Sequence, residues 1–166
     1  MFRRTSAALL AALAALAAAT PLSAQETAAS PASAKQTLMP DDPQARAFHD
    51  QFGYSEAVIH GDTVYLSGVV AGTPPEGMDP VDYYDRIFAH IGSILERAGS
   101  SWDDVLDMTT FHLDIDATLP ALAEAKKRHV RAPFPTWTVI GVSRLYEPSA
   151  QVEIKVIARV SPAAAE

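Results

Sequence analysis

The chain has 166 residues, 20 acidic against 13 basic, a formal charge of −7 and no cysteine. An acidic balance is a poor electrostatic match for phosphate backbones, which are bound by clustered Lys and Arg. The missing cysteines exclude a cysteine-linked lipid anchor, while an absence of disulfides fits any compartment.

The N-terminus reads as an export signal. Arg3 and Arg4 form a basic start, Ser6 to Thr20 is an Ala/Leu run, and Pro21-Leu22-Ser23-Ala24 offers small residues for cleavage. The run is shorter than the ~20 residues that span a bilayer. The reading assigns 1–24 to a signal peptide and 25–40 to a flexible, Ala/Ser/Thr/Pro-rich linker. One domain over 41–162 and a short tail at 163–166 follow. The expected location is periplasmic or secreted.

Within the domain, Ala57–His60 and Thr63 to Val70 are β-branched runs around Gly61-Asp62, which predicts a tight hairpin with a II′-type turn. Gly72 to Gly77 is a loop. Asp79 and Pro80 punctuate the start of a helix whose buried stripe is Tyr84, Ile87, Ile91, Ile94, Leu95 and Ala98, stopped by Gly99. His90 falls beside that stripe and reads as a packed or half-exposed residue rather than a ligand.

Val105 to Ile115 is predicted as a strand, with Thr109, Phe111, Leu113 and Ile115 on one face and Thr110, His112 and Asp114 on the other. A second helix is expected from near Thr118 and Pro120 to about Val130. It ends in the basic cluster Lys126-Lys127-Arg128, which suits a helix C-terminus. Thr136 to Leu145 and Gln151 to Val160 close the domain as strands. The order β-β-α-β-α-β-β predicts an α+β fold, a mixed sheet with two helices on one face. The other face keeps apolar residues that a monomer would expose, so a homo-oligomer is expected.

There is no Walker loop, no Rossmann glycine pattern and no His/Asp/Glu cluster at metal spacing, so neither cofactor nor metal is expected. Three separated segments carry more information. They are Tyr54-Ser55-Glu56-Ala57-Val58 with Gly61 to Gly68, Ile94 to Val105, and Phe134-Pro135 followed by Val142-Ser143-Arg144-Leu145 and Val152-Glu153-Ile154. In that order and spacing the chain resembles the RidA/YjgF-type reactive-intermediate deaminases over roughly Tyr54 to Val160. The resemblance implies a chorismate-mutase-like fold, a homotrimer with small-molecule clefts between subunits, and hydrolysis of enamines or imines to 2-oxo acids and ammonia without metal or cofactor.

Carried onto this chain, the resemblance assigns a water-holding catalytic glutamate to Glu153. Tyr54 becomes a cleft wall, Ser67 and Gly68 its floor, and the Val139 carbonyl a second water ligand. One position departs. The family pattern Pro-Ala-Arg-Ser/Thr is Pro135-Thr136-Trp137-Thr138 here. An indole has one N–H and no charge, so Trp137 cannot make the bidentate contact by which an arginine holds a carboxylate. Arg144 is an odd number of residues further on, which puts it on the other side of a continuous strand; Arg131, on the preceding loop, is the other candidate replacement. The sequence thus supports an exported RidA-like protein that binds, and on the leading reading hydrolyses, a less anionic or more aromatic imine. A non-catalytic small-molecule-binding trimer is the alternative, and an RNA-cleaving protein fits the charge least.

Overall fold

The computed structural model describes residues 35–161. The expected signal, residues 25–34 of the linker and the tail at 163–166 lie outside them. The elements are β1 (Gln36–Leu38), α1 (Pro43–Phe52), β2 (Ala57–His60), β3 (Thr63–Leu66), β4 (Val69–Ala71), α2 (Pro80–Arg97), a single 3-10 turn (Trp102–Asp104), β5 (Val105–His112), α3 (Ile115–His129), β6 (Thr136–Gly141) and β7 (Val152–Arg159). The strands form one mixed sheet in the order β1-β2-β3-β7-β5-β6, with β4 also paired to β7. Only the β5/β6 pair is parallel.

This is the α+β architecture expected from the sequence, with additions at its front. Gln36–Leu38, read as linker, pairs with β2. A third helix, α1, precedes the hairpin. Its punctuation is complete: Asp42 accepts from the Gln44 and Ala45 amides, Pro43 takes the first position, and Gly53 closes the helix at φ +69°. None of its residues is buried.

The hairpin forms with Gly61 at φ +63° and no positive φ at Asp62, the II′ pattern. The strand expected over Thr63 to Val70 is instead two strands along the same partner. Tyr65 pairs with Ile157 and Val69 with Ile154, so Leu66 to Gly68 sit opposite only Lys155 and Val156. The extra residue kinks the chain at Ser67-Gly68.

Asp79 caps α2 through the Val81 amide at 2.7 Å. At the other end the Gly99 amide donates to Glu96 and the Ser100 amide to Leu95, with Gly99 at φ +74°. That pair of bonds is a Schellman stop. The buried stripe is Tyr84, Phe88, Ile91, Ile94, Leu95 and Ala98, with Ile87 half-buried at its margin. It packs on the sheet with Val64, Leu66, Met108, Val152, Ile154 and Val156. Each such side chain contributes roughly 1.5–3 kcal/mol by leaving water.

Two expectations are corrected around β5. The strand ends at His112, and α3 begins at Ile115, because Asp114 caps it through the Ala117 amide at 3.0 Å. Pro120 lies inside the helix rather than opening it. The buried face of β5 carries Met108, Thr110 and His112, and Thr109 and Phe111 are half-buried on the other. Polar side chains can face the core here because they satisfy one another.

Candidate functional site

The kink at Ser67-Gly68 decides where the first group of candidate residues meets. Glu153 faces the uncovered side of the sheet, paired across to Val70 on β4 and Phe111 on β5. A Cβ at Gly68 would stand 1.9 Å from Glu153 Oε1 and 2.7 Å from its Cδ. Only glycine lets the carboxylate lie over the backbone there. Ser67 is held by two bonds to the preceding segment: its amide donates to the Glu56 carbonyl at 2.9 Å and its hydroxyl to the Ser55 carbonyl at 2.7 Å. Tyr54 stacks on His49 with centroids 4.0 Å apart. Burial, then the neighbouring Tyr146 phenol, push the Tyr54 hydroxyl pKa up.

Tyr54, Ser67, Gly68 and Glu153 together line a cavity of about 420 Å³, whose other walls include Phe48, Tyr146 and Glu147. The Glu153 carboxylate has no hydrogen-bond or ion-pair partner among the described residues. A second cavity of about 290 Å³ lies behind the same floor, bounded by Glu56, Ile87 and His90. Its carboxylate is already neutralised, since Arg97 bonds Glu56 at 2.7 Å, and Arg97 also reaches Asp41 at 3.1 Å. The cavity with the free carboxylate is the better candidate for chemistry.

Trp137 and Val139 are placed elsewhere. They pair in register with Met108 and Thr110, so they share the helix-covered face. Glu153 is two strands away on the opposite face. The Trp137 Nε1–H donates to Thr110 Oγ1 at 3.1 Å. Thr110 Oγ1 is 2.9 Å from His112 Nε2, and His112 Nδ1 is 2.7 Å from Thr118 Oγ1. The Thr118 hydroxyl in turn donates to the Asp114 carbonyl at 2.5 Å.

Proton directions follow by elimination. Thr118 spends its one hydrogen on Asp114, so it accepts from His112 Nδ1–H. That leaves Nε2 as an acceptor for the Thr110 hydroxyl, whose oxygen accepts from the indole. The chain runs one way from Trp137 to the cap of α3, and it requires a neutral imidazole. Burial lowers the His112 pKa, which favours that form. On the other side of the indole, Lys126 Nζ lies 4.1 Å from the ring centroid. Burial lowers its pKa as well.

A profile of the family described as endoribonuclease L-PSP matches residues 44–160. The chain belongs to this, the RidA/YjgF, family. It is 34% identical over 111 residues to the RutC family protein YjgH of Escherichia coli K12, spanning 64% of this chain and 82% of that protein. It is 32% identical over 108 residues to a 2-iminobutanoate/2-iminopropanoate deaminase of Dermatophagoides farinae, spanning 63% and 83%. Among solved structures, protein YjgH superposes with a TM-score of 0.63 at 28% identity, covering 78% of this chain and 98% of that one. RidA from a Psychrobacter species gives 0.56 at 28%, covering 64% and 88%.

Within the RidA/YjgF frame, one half of the expected site (Tyr54, Ser67, Gly68, Glu153) assembles inside a single chain and the other half (Trp137, Val139) does not join it. Arg144 stands beyond the end of β6 at Gly141, so strand alternation does not set its direction; it and Arg131 are exposed. Sequence reasoning missed the cavity walls Phe48, Tyr146 and Glu147. The Asp42-Pro43 start and Gly53 stop were the available signal for the helix that carries Phe48. It also missed the Thr110–His112–Thr118 chain, for which spacing gives no signal across β5 and α3.

Proposed function

We propose that this RidA/YjgF member is an exported protein that binds a small imine without a carboxylate and hydrolyses it to a carbonyl compound and ammonia. The observation that supports this most is the unpartnered Glu153 carboxylate lying over Gly68, in a cavity shared with Tyr54 and Ser67. A protonated imine carbon is already electrophilic, so the site has mainly to orient it and place a water. Glu153 takes one proton as the water oxygen bonds to that carbon, returns it to nitrogen, and takes the remaining hydroxyl proton as the C–N bond breaks and ammonia leaves, which that proton then converts to ammonium. Among the described residues no Lys or Arg lines this cavity, and Trp137 cannot serve as a carboxylate clamp.

The remaining half-site comes from a neighbouring copy on this reading, in a homotrimer that brings Trp137 and the Val139 carbonyl toward Glu153. Tyr65, Val70 and Ile140 are exposed on the uncovered sheet face, which is consistent with such an assembly. Export rests on the signal over 1–24. The alternative, a binding protein without turnover, is favoured by Trp137, whose indole replaces the anion clamp.

Purified protein mixed with an amine or amino-acid oxidase and its substrate, with ammonia release followed, tests the reaction. Acceleration with carboxylate-free imines and little with 2-iminobutanoate is expected; no acceleration with any imine sinks the catalytic reading. Sedimentation tests the assembly, where a monomer at micromolar concentration excludes the shared cleft. Fractionation of cells producing the full chain tests export, and retention of the uncut chain in the cytoplasm overturns it.

A further inference from the structure

The added helix α1 buries none of its residues, so the core does not explain its aromatic face. Phe48 and Phe52, one turn apart, have ring centroids 4.7 Å from each other. Phe48 meets Tyr54 edge-on at 6.4 Å, and Phe52 meets Tyr146 at 5.9 Å. All four rings are exposed, from 37% for Tyr54 to 68% for Tyr146. Among the described residues they alone wall a recess of about 220 Å³. Phe48, Tyr54 and Tyr146 also line the cavity that holds Glu153.

Four exposed rings around one recess are costly in water unless something covers them. The charges beside them say what. Glu147 and Glu153 line the adjoining cavity, and among the described residues no Lys or Arg does. Glu147 Oε1 receives the Ser149 hydroxyl at 3.1 Å, which holds that carboxylate in place. Aromatic faces and carboxylates both attract organic cations and repel carboxylates.

We propose that Phe48, Phe52, Tyr54 and Tyr146 form an aromatic cage that, with Glu147 and Glu153, selects an organic cation bearing an aryl or bulky apolar group. The fitting substrate is the protonated imine of an arylalkylamine. Water adds to its carbon, the C–N bond breaks, and the products are an aldehyde or ketone and ammonium, so atoms and charge balance. The reaction that supplies such a cation is the oxidation of a primary amine. This assignment rests on the reading of the Glu153 cavity as the ligand site, and binding can be tested apart from turnover.

The probe is benzyltrimethylammonium, a stable cation with an aryl group, titrated calorimetrically into the mature protein beside phenylacetate and tetramethylammonium. It should bind at least about tenfold tighter than either comparator. Phe48→Ala and Tyr146→Ala should each weaken it by about tenfold with the melting temperature unchanged, and Glu147→Gln should weaken it by several-fold. Equal or tighter binding of phenylacetate, or no binding of the probe, overturns the cage. So does a fall in oligomer size on Phe48→Ala without saturable cation binding, which would assign the rings to a contact with a second copy. Imine turnover without cation preference would remove the cage and leave imine hydrolysis standing. Cation binding without turnover would do the reverse.

Discussion

The indole nitrogen of Trp137 donates to the Thr110 hydroxyl at 3.1 Å, which ties this residue of β6 to the buried face of β5. Its one donor is occupied and its face is covered by Lys126. Trp137 therefore joins β6, β5 and α3. Trp137→Phe keeps an aromatic ring but leaves Thr110 Oγ1 without its donor. The expected cost is about 0.5–1.5 kcal/mol, read as a lower urea midpoint with the slope unchanged. An unchanged midpoint would show that the bond contributes nothing.

His112 should make stability depend on pH. It is fully buried and its pKa is lowered by burial, whereas in the unfolded chain it titrates near ~6.5. The unfolded state then binds more protons between those two values. Stability is complete above about pH 6.5 and falls as pH drops through that value toward the folded pKa, by at most about 1.4 kcal/mol per pH unit. Asp104, held low by the Ser161 and Ser101 hydroxyls, acts below the ordinary carboxylate range and leaves this window clear. Urea unfolding at pH 7.5, 6.5 and 5.5 should show the decline in the wild type and a flatter response in His112→Gln. Parallel curves would remove His112 as the cause.

Gly68 and Glu153 should behave as one unit. Glu153→Gln removes the proton acceptor and is expected to lower kcat for a carboxylate-free imine by roughly 10²-fold or more. Gly68→Ala puts a methyl group where Glu153 Oε1 lies, and the flexible side chain swings away, so a similar loss is expected with the fold intact. Because both act through one carboxylate, the double variant should be no worse than the worse single one. Additive losses would mean that Gly68 serves the site in a second way.

The hairpin, α2 and β7 were legible because local punctuation and burial agree in them: Gly61 turns, Asp79 caps, Gly99 stops, and Val152, Ile154, Val156 and Ala158 alternate inward. The buried face of β5 was not legible, because Thr110 and His112 are made buriable by partners on β6 and α3 that adjacency in sequence does not reveal. The helix α1 escaped periodicity because it buries nothing, although Asp42, Pro43 and Gly53 mark its ends. The grouping of part of the candidate site has a local reason: Ser67-Gly68 form the kink that receives Glu153. The tie of Trp137 to Thr110 was not legible.

Trp137→Arg tests whether the site can be returned to the family's charge. The new guanidinium would enter a position where Lys126 already stands 4.1 Å from the ring centre, and two cations there repel each other. The single variant should therefore be less stable than Trp137→Phe, and adding Lys126→Gln should recover part of the loss. With the ammonium removed, the guanidinium is free to pair with a substrate carboxylate. A charge-assisted contact of about 1.5–3 kcal/mol corresponds to ten- to a hundredfold in kcat/KM. Trp137→Arg/Lys126→Gln should show that gain with 2-iminobutanoate, followed by ammonia release, while benzyltrimethylammonium binding falls if the altered half-site faces the cage across a subunit boundary. A stable double variant with no gain would mean that the cleft has left the family's substrate range at more positions than Trp137.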